Sequence, residues 1–253
     1  MSDHPTQSVT IEGYGGLPIA VHMMGEGRDV VLIHGYFSNA FTNWIRYGHA
    51  AQIAARGFRV IMPDLRGHGD SAKPHDAASY PPDALMADGL ALIEQLGLTD
   101  YDLGGYSLGA RTVVRMLANG AAPRRVILSG MGLEGLLHTS GRGSYFRHVL
   151  TNLGSFERGT PEWMTEAFLK TTKGDPEALL RILDTFVDTS REAIAAIAPP
   201  LLVVSGEDDD DNGSSQTVAD LVQHGRFVSI PGNHMSAVTR KELGQAIAEF
   251  IAA

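Results

Sequence analysis

Tyr101-Asp102-Leu103-Gly104-Gly105-Tyr106-Ser107-Leu108-Gly109 is the stretch on which the reading of this chain turns. A short strand-like run, Tyr101 to Leu103, passes through Gly-x-Ser-x-Gly into residues 107–119, where Leu108, Val113, Val114 and Leu117 recur at helical spacing. A strand that turns abruptly into a helix holds its central residue in a strained conformation and lifts that side chain above the sheet edge. Side chains at 105 and 109 would collide in so tight a turn, which is why both are glycine. The Leu108 amide falls in the first helical turn, aimed at an oxygen on the carbon that Ser107 would attack. Ser107 is the candidate nucleophile.

Working outward, short apolar runs alternate with amphipathic stretches. Val30-Val31-Leu32-Ile33, Val60-Ile61-Met62 and Val126-Ile127-Leu128 are continuous apolar strands, the pattern of a parallel sheet covered by helices on both faces. Residues 41–56, 82–96 and 107–119 read as the intervening helices, with Gly97 and Gly120 at their C-terminal ends. A second βαβ set follows: strand 201–204, helix 215–223, strand 227–230 and helix 239–252. Thr239 and Glu242 form a capping-box pattern for that last helix. Residues 8–12 and 17–24 complete an antiparallel edge, giving eight strands in all. The segment 133–198 lacks strand runs. It shows helix starts at Thr160-Pro161-Glu162, at Asp175-Pro176-Glu177, and at Thr189 with Glu192. The predicted fold is α/β: a mostly parallel sheet formed by 1–132 and 199–253, with a helical cap inserted at 133–198.

Composition narrows the function classes. The chain has 253 residues, 43% apolar and 19% charged, enough to bury a full core. The absence of cysteine removes disulfides, zinc–thiolate sites, iron–sulfur clusters and a cysteine nucleophile. A net charge of −9 argues against nucleic acid or an anionic membrane as partner. The apolar run 193–204 is too short to span a bilayer and is split by Pro199-Pro200. No Lys or Arg precedes Arg28 and the first residues are polar, so a secretory signal is not expected. The expectation is a soluble, cytoplasmic protein, monomer or homodimer.

A serine nucleophile needs a base, and a base needs an orienting acid. Among ten histidines, His234 stands out: it follows the last predicted strand, on the same carboxyl edge as the Ser107 turn. His34 and His68 follow earlier strands and are read as loop-backbone partners. The acid falls after strand 201–204, in Ser205-Gly206-Glu207-Asp208-Asp209-Asp210-Asp211-Asn212-Gly213. Neighbouring carboxylates repel, so one should turn inward while the rest stay in solvent; spacing alone does not say which.

The set of His34-Gly35-Tyr36, Asp64-Leu65-Arg66-Gly67-His68-Gly69-Asp70-Ser71, the Ser107 turn, the acid turn and Gly232-Asn233-His234 resembles the α/β-hydrolase superfamily over nearly the whole chain outside the cap. The resemblance implies a Gly-x-x-Asp acid, which selects Asp209 with Asp208 and Asp210 next. It also implies that the Tyr36 amide is the second oxyanion donor beside that of Leu108. The 64–71 segment is read as structural. Superfamily members that open epoxides or remove halides carry aspartate at the turn; the serine here speaks against both. The implied protein is a cofactor-free, metal-free serine hydrolase acting on a small carboxylic ester. Lactonase, thioesterase, carbon–carbon bond hydrolase and perhydrolase chemistry share the same residues, and a ligand-sensing protein can keep them too.

Candidate pocket residues are His34, Phe37, Met131, Trp163 and Phe168, with Arg111 and Arg142 available to acidic substrates if they face inward. Arg111 is read as pairing with an acid behind the turn. Two further patterns are set aside. Gly130-x-Gly132-x-x-Gly135 lacks the second strand and acid of a dinucleotide site. Asp208-x-Asp210-x-Asn212-Gly213 begins like a calcium loop but carries Ala219 where the bidentate Glu belongs.

Overall fold

A computed structural model describes residues 5–253, so the polar residues 1–4 lie outside the description. Eight strands form one sheet in the order β1-β2-β4-β3-β5-β6-β7-β8. They are β1 (Gln7–Glu12), β2 (Pro18–Met24), β3 (Arg28–Ile33), β4 (Phe58–Pro63), β5 (Tyr101–Tyr106), β6 (Val126–Ser129), β7 (Leu201–Gly206) and β8 (Gly225–Ile230). β1 and β2 run antiparallel at one edge, and every pairing from β4 through β8 is parallel. The central apolar runs are packed on both faces: Val30, Val31 and Leu32 are 0% exposed. Edge strand β1 is by contrast largely solvent-facing, and the other edge strand, β8, is mostly half-buried.

Helices α1 (His49–Ala54), α2 (Ala84–Gln95), α3 (Leu108–Ala118), α9 (Ser215–Leu221), α10 (His234–Ala237) and α11 (Lys241–Ala252) surround the sheet. Between β6 and β7 lie α4 (Leu133–Leu137), α5 (Ser140–Thr151), α6 (Pro161–Thr171), α7 (Pro176–Asp184) and α8 (Arg191–Ala195). The prolines open α6 and α7 as expected, with Thr160 and Asp175 accepting first-turn amides. No helix of the described residues is long and apolar enough to cross a membrane.

Three local readings are corrected. The helix expected over 41–56 is broken at Gly48 (φ 80°), leaving a π-helical turn over 41–45 followed by α1. The cap of α8 is Ser190, whose hydroxyl accepts from the Ala193 amide, and not Thr189. Thr239 does not cap α11, which starts at Lys241 without a side-chain cap. Its hydroxyl instead donates to the Ser236 carbonyl (2.8 Å), because the capping box of this region is Asn233 with Ser236, one short helix earlier.

The chain leaves β3 for β4 on one side and returns to β5 on the other. The loops after β3 and β5 therefore diverge at a crevice on the carboxyl edge, where open α/β sheets place their ligands. The 64–71 segment braces that crevice. Asp64 accepts the amides of Ala40 (2.8 Å) and Asp70 (2.7 Å), and Arg66, 1% exposed, pairs with buried Asp88 at 2.6 Å. These are structural contacts, as the glycine-rich pattern implied.

Candidate active site

β5 runs directly into α3 at Ser107, whose backbone sits at φ 53°, ψ −113°. Such a conformation costs on the order of 1–3 kcal/mol and holds only where neighbours over-determine it. They do so here. A Cβ on Gly105 would lie 2.3 Å from the Gly109 carbonyl carbon, and one on Gly109 would lie 2.0 Å from the Ile33 carbonyl oxygen. The Ser107 amide donates to the Ser129 carbonyl at 2.8 Å, tying the turn to β6. Gly35 passes alongside: a Cβ there would approach that of Ser107 to 3.4 Å.

His234 arrives from the end of β8. Asn233 caps α10, accepting the amides of Met235 (3.2 Å) and Ser236 (3.0 Å), and so fixes His234 as the first helical residue. The Tyr106 hydroxyl donates to the His234 carbonyl at 2.7 Å and holds it from below. The acid turn is knitted to the same place, with the amides of Glu207 and Asp208 bonding to the carbonyls of Ile230 and Gly232. The result is one continuous chain of contacts. His234 Nε2 lies 3.0 Å from Ser107 Oγ, and His234 Nδ1 lies 3.0 and 3.2 Å from the two Asp209 carboxylate oxygens. Asp209 is the acid that turns inward, its side chain 3% exposed, while Asp208, Asp210 and Asp211 face solvent.

A serine on a strained strand-to-helix turn, linked through histidine to a buried carboxylate, is a recurrent hydrolase constellation. The sequence profile of the alpha/beta hydrolase family matches residues 30–246. The chain belongs to that family. Among curated proteins it is similar to an epoxide hydrolase of Caballeronia sordidicola, 36% identical over 95 residues, which is 38% of this chain and 28% of that protein. It is also similar to an N-formylmaleamate deformylase of Pseudomonas putida, 37% identical over 97 residues, 38% of this chain and 34% of that protein. The matched segment thus spans well under half the length of either relative. Among solved structures, an esterase from Thermogutta terrifontis superposes with a TM-score of 0.77 at 23% identity, covering 97% of this chain and 98% of that one.

Ser107 opens into a small cavity of about 20 Å³, room for roughly one water. Tyr36 and Leu108 line it, together with Met131 among the expected pocket residues. The other four do not. His34 is fully buried with both ring nitrogens engaged, Nδ1 on the Gly35 carbonyl and Nε2 on the Leu65 amide, each within 2.9 Å. Phe37 packs behind Tyr36 and Phe146, at ring distances of 4.5 and 5.3 Å. Trp163, near the start of α6, sits under Arg158, and half-buried Phe168 packs against the core; neither lines the cavity. The wall is completed instead by Phe146, Phe186, Asn212, Arg111 and Arg142.

Arg111 is also corrected. Among the described residues no carboxylate lies within 4.0 Å of its guanidinium, which donates to the Gly135 carbonyl (2.9 Å) and stacks on Phe186 (4.8 Å). The spacing from Ser107 held the signal: four residues along a helix return to the same face. Tyr106 and Asn212 had no such signal, since their work depends on β8 and β6 arriving beside them. Asn212 ties the acid turn to the end of β6 through its contact with the Gly130 carbonyl (3.2 Å).

The set-aside patterns have packing roles. A Cβ on Gly132 would lie 2.0 Å from the Gly213 carbonyl oxygen, and one on Gly135 would press on Met131 and Asn212. These glycines let α4 close on the acid turn. Elsewhere His22, Asp64 and Asp70 bring potential metal-ligating atoms within 4.8 Å of one another. Burial alone would raise the Asp64 carboxyl, but the His22 hydrogen bond and the Ala40 and Asp70 amides hold it well below the carboxylate range. Its oxygens are already spent on bracing loops.

Proposed function

We propose that this protein is a serine hydrolase of small carboxylic esters, with residues 133–198 as a cap over the site. The observation that carries the reading is the unbroken contact chain from Ser107 Oγ through both nitrogens of His234 to Asp209. Ser107 attacks the carbonyl carbon while His234 Nε2 takes its proton. Asp209 holds the Nδ1–H tautomer and stabilises the imidazolium that forms. Tyr36 and Leu108 both line the cavity, which supports their amides as the donors that receive the developing oxyanion. His234 then protonates the leaving oxygen, and water releases the acyl group by the same path in reverse. Serine at the turn supports this over epoxide opening, despite the similarity to an epoxide hydrolase, because a neutral hydroxyl beside histidine suits acyl transfer.

The test is steady-state hydrolysis of p-nitrophenyl esters of increasing acyl length, wild type against Ser107→Ala. Turnover with a preferred length, and a loss of about a thousandfold or more in the variant, supports the reading. A folded wild type inert on every ester overturns it.

A further inference from the structure

Arg111 is 6% exposed, one helical turn beyond the nucleophile, and has no carboxylate partner within salt-bridge reach among the described residues. Arg115, a turn further along α3, shows the usual arrangement, its guanidinium held by Asp83 at 3.0 Å. Asp188 acts on Arg111 only from beyond salt-bridge distance, and Arg142 opposes that attraction; a buried cation so weakly compensated gains from a counter-charge in direct contact. Burial pushes Arg111 down to about 10, so it stays charged at neutral pH. The guanidinium is nonetheless fixed, since two of its nitrogens share the Gly135 carbonyl and its face rests on Phe186. Across the same cavity stands Arg142, on α5, paired at its outer side with Asp211 (2.8 Å) and stacked near Phe146 (5.1 Å). Among the described residues, the cavity wall therefore carries two arginines beside Ser107 and no carboxylate.

We propose that the catalytic cavity is built for short substrates bearing a carboxylate, with Arg111 as the anchoring cation and Arg142 as a second one. Esters and lactones of small dicarboxylic acids are the chemical class. A planar guanidinium binds a carboxylate through paired hydrogen bonds, giving orientation as well as charge, so it sets how the scissile carbonyl meets Ser107. The cavity holds only about one water, so a substrate needs its wall side chains to move aside, and Arg142 can exchange Asp211 for the substrate as they do so. The subsite rests on the serine-hydrolase reading for its chemistry, but its anion affinity can be measured without turnover.

The experiment compares kcat/KM for mono-p-nitrophenyl glutarate with that for p-nitrophenyl valerate, which has a methyl where the first has a carboxylate. The wild type is expected to favour the anionic ester by about tenfold or more, and Arg111→Gln to lose at least that ratio. Arg111→Lys, which keeps the charge, restores part of it. Because the ratio is the readout, a lower fraction of folded variant cancels. An unchanged ratio in Arg111→Gln, or a wild type that prefers valerate, overturns the proposal. In parallel, glutarate binding to Ser107→Ala is followed by calorimetry, with Ser107→Ala/Arg111→Gln as the comparison. Saturable binding lost in the double variant supports the subsite even if no ester is turned over. Absence of binding to both overturns it.

Discussion

The backbone of Gly109 rests directly on the carbonyl of Ile33, leaving no room for a methyl group between nucleophile helix and central strand. Gly109→Ala should therefore cost about 1–3 kcal/mol in urea unfolding and displace the Ser107 turn, lowering turnover beyond the loss of folded protein. Gly143, inside α5, has nothing within 4 Å of where its Cβ would lie. Gly143→Ala should stabilise by about 0.5–1 kcal/mol. Opposite signs are the check; two destabilising results would contradict the packing described.

Of the four aspartates in a row, only Asp209 reaches His234. Asp209→Asn should cut kcat by about ten-thousandfold, since an amide supports the wrong imidazole tautomer. Asp208→Asn and Asp210→Asn should stay within a few-fold of wild type. Kinetics on any turned-over ester decide the matter, and a large loss at 208 or 210 would reassign the acid.

Capping separates two further residues. Asn233→Ala removes the acceptor for two amides of α10 and should cost about 1 kcal/mol, with a fall in kcat because His234 is the helix's first residue. Thr239→Ala deletes only a local hydroxyl-to-carbonyl bond. It should leave kcat unchanged. If the two variants lose activity alike, the cap does not position the base.

Acid should destabilise the protein through His68. Burial, reinforced by His34, pushes it from 6.5 down to about 3. The unfolded chain thus takes up this proton first, so stability is intact above about pH 6.5 and is lost as pH falls toward about 3. His22 works in the opposite direction: its hydrogen bond to Asp64 raises it, so its contribution is full in acid and fades as pH rises. His68 Nδ1 faces the Arg66 carbonyl, a contact that an asparagine amide can imitate. His68→Asn should flatten the fall in unfolding free energy between about pH 7 and about pH 5, by at most about 1.4 kcal/mol per pH unit. Parallel slopes would show that His68 is not the group responsible.

What could be read in the sequence was whatever depends on local pattern. Continuous apolar runs mark strands buried on both faces, and Val30 to Ile33 or Leu201 to Val204 admit no other placement in a helix-covered sheet. The order of strand ends then narrows the base and the acid. Legibility failed where a contact is made across the sheet. The Thr239 pattern matched a cap, but a short helix, α10, intervenes with Asn233 as its cap, and α11 starts only at Lys241. The cavity wall escaped for the same reason. Trp163 and Phe168 have the right chemistry, but the way α5 and α6 pack turns Phe146 inward in their place.

The three members of the contact chain sit on three strand ends, with 127 positions separating Ser107 from His234. β8, which delivers the base, is the final strand in chain order among the described residues. A chain emerging during synthesis thus presents Ser107 well before His234 exists, and the contact between them needs β8 in place on the sheet. Any form of the chain that lacks β8 on the sheet lacks the anchored base, so the contact chain marks a sheet completed through its last strand.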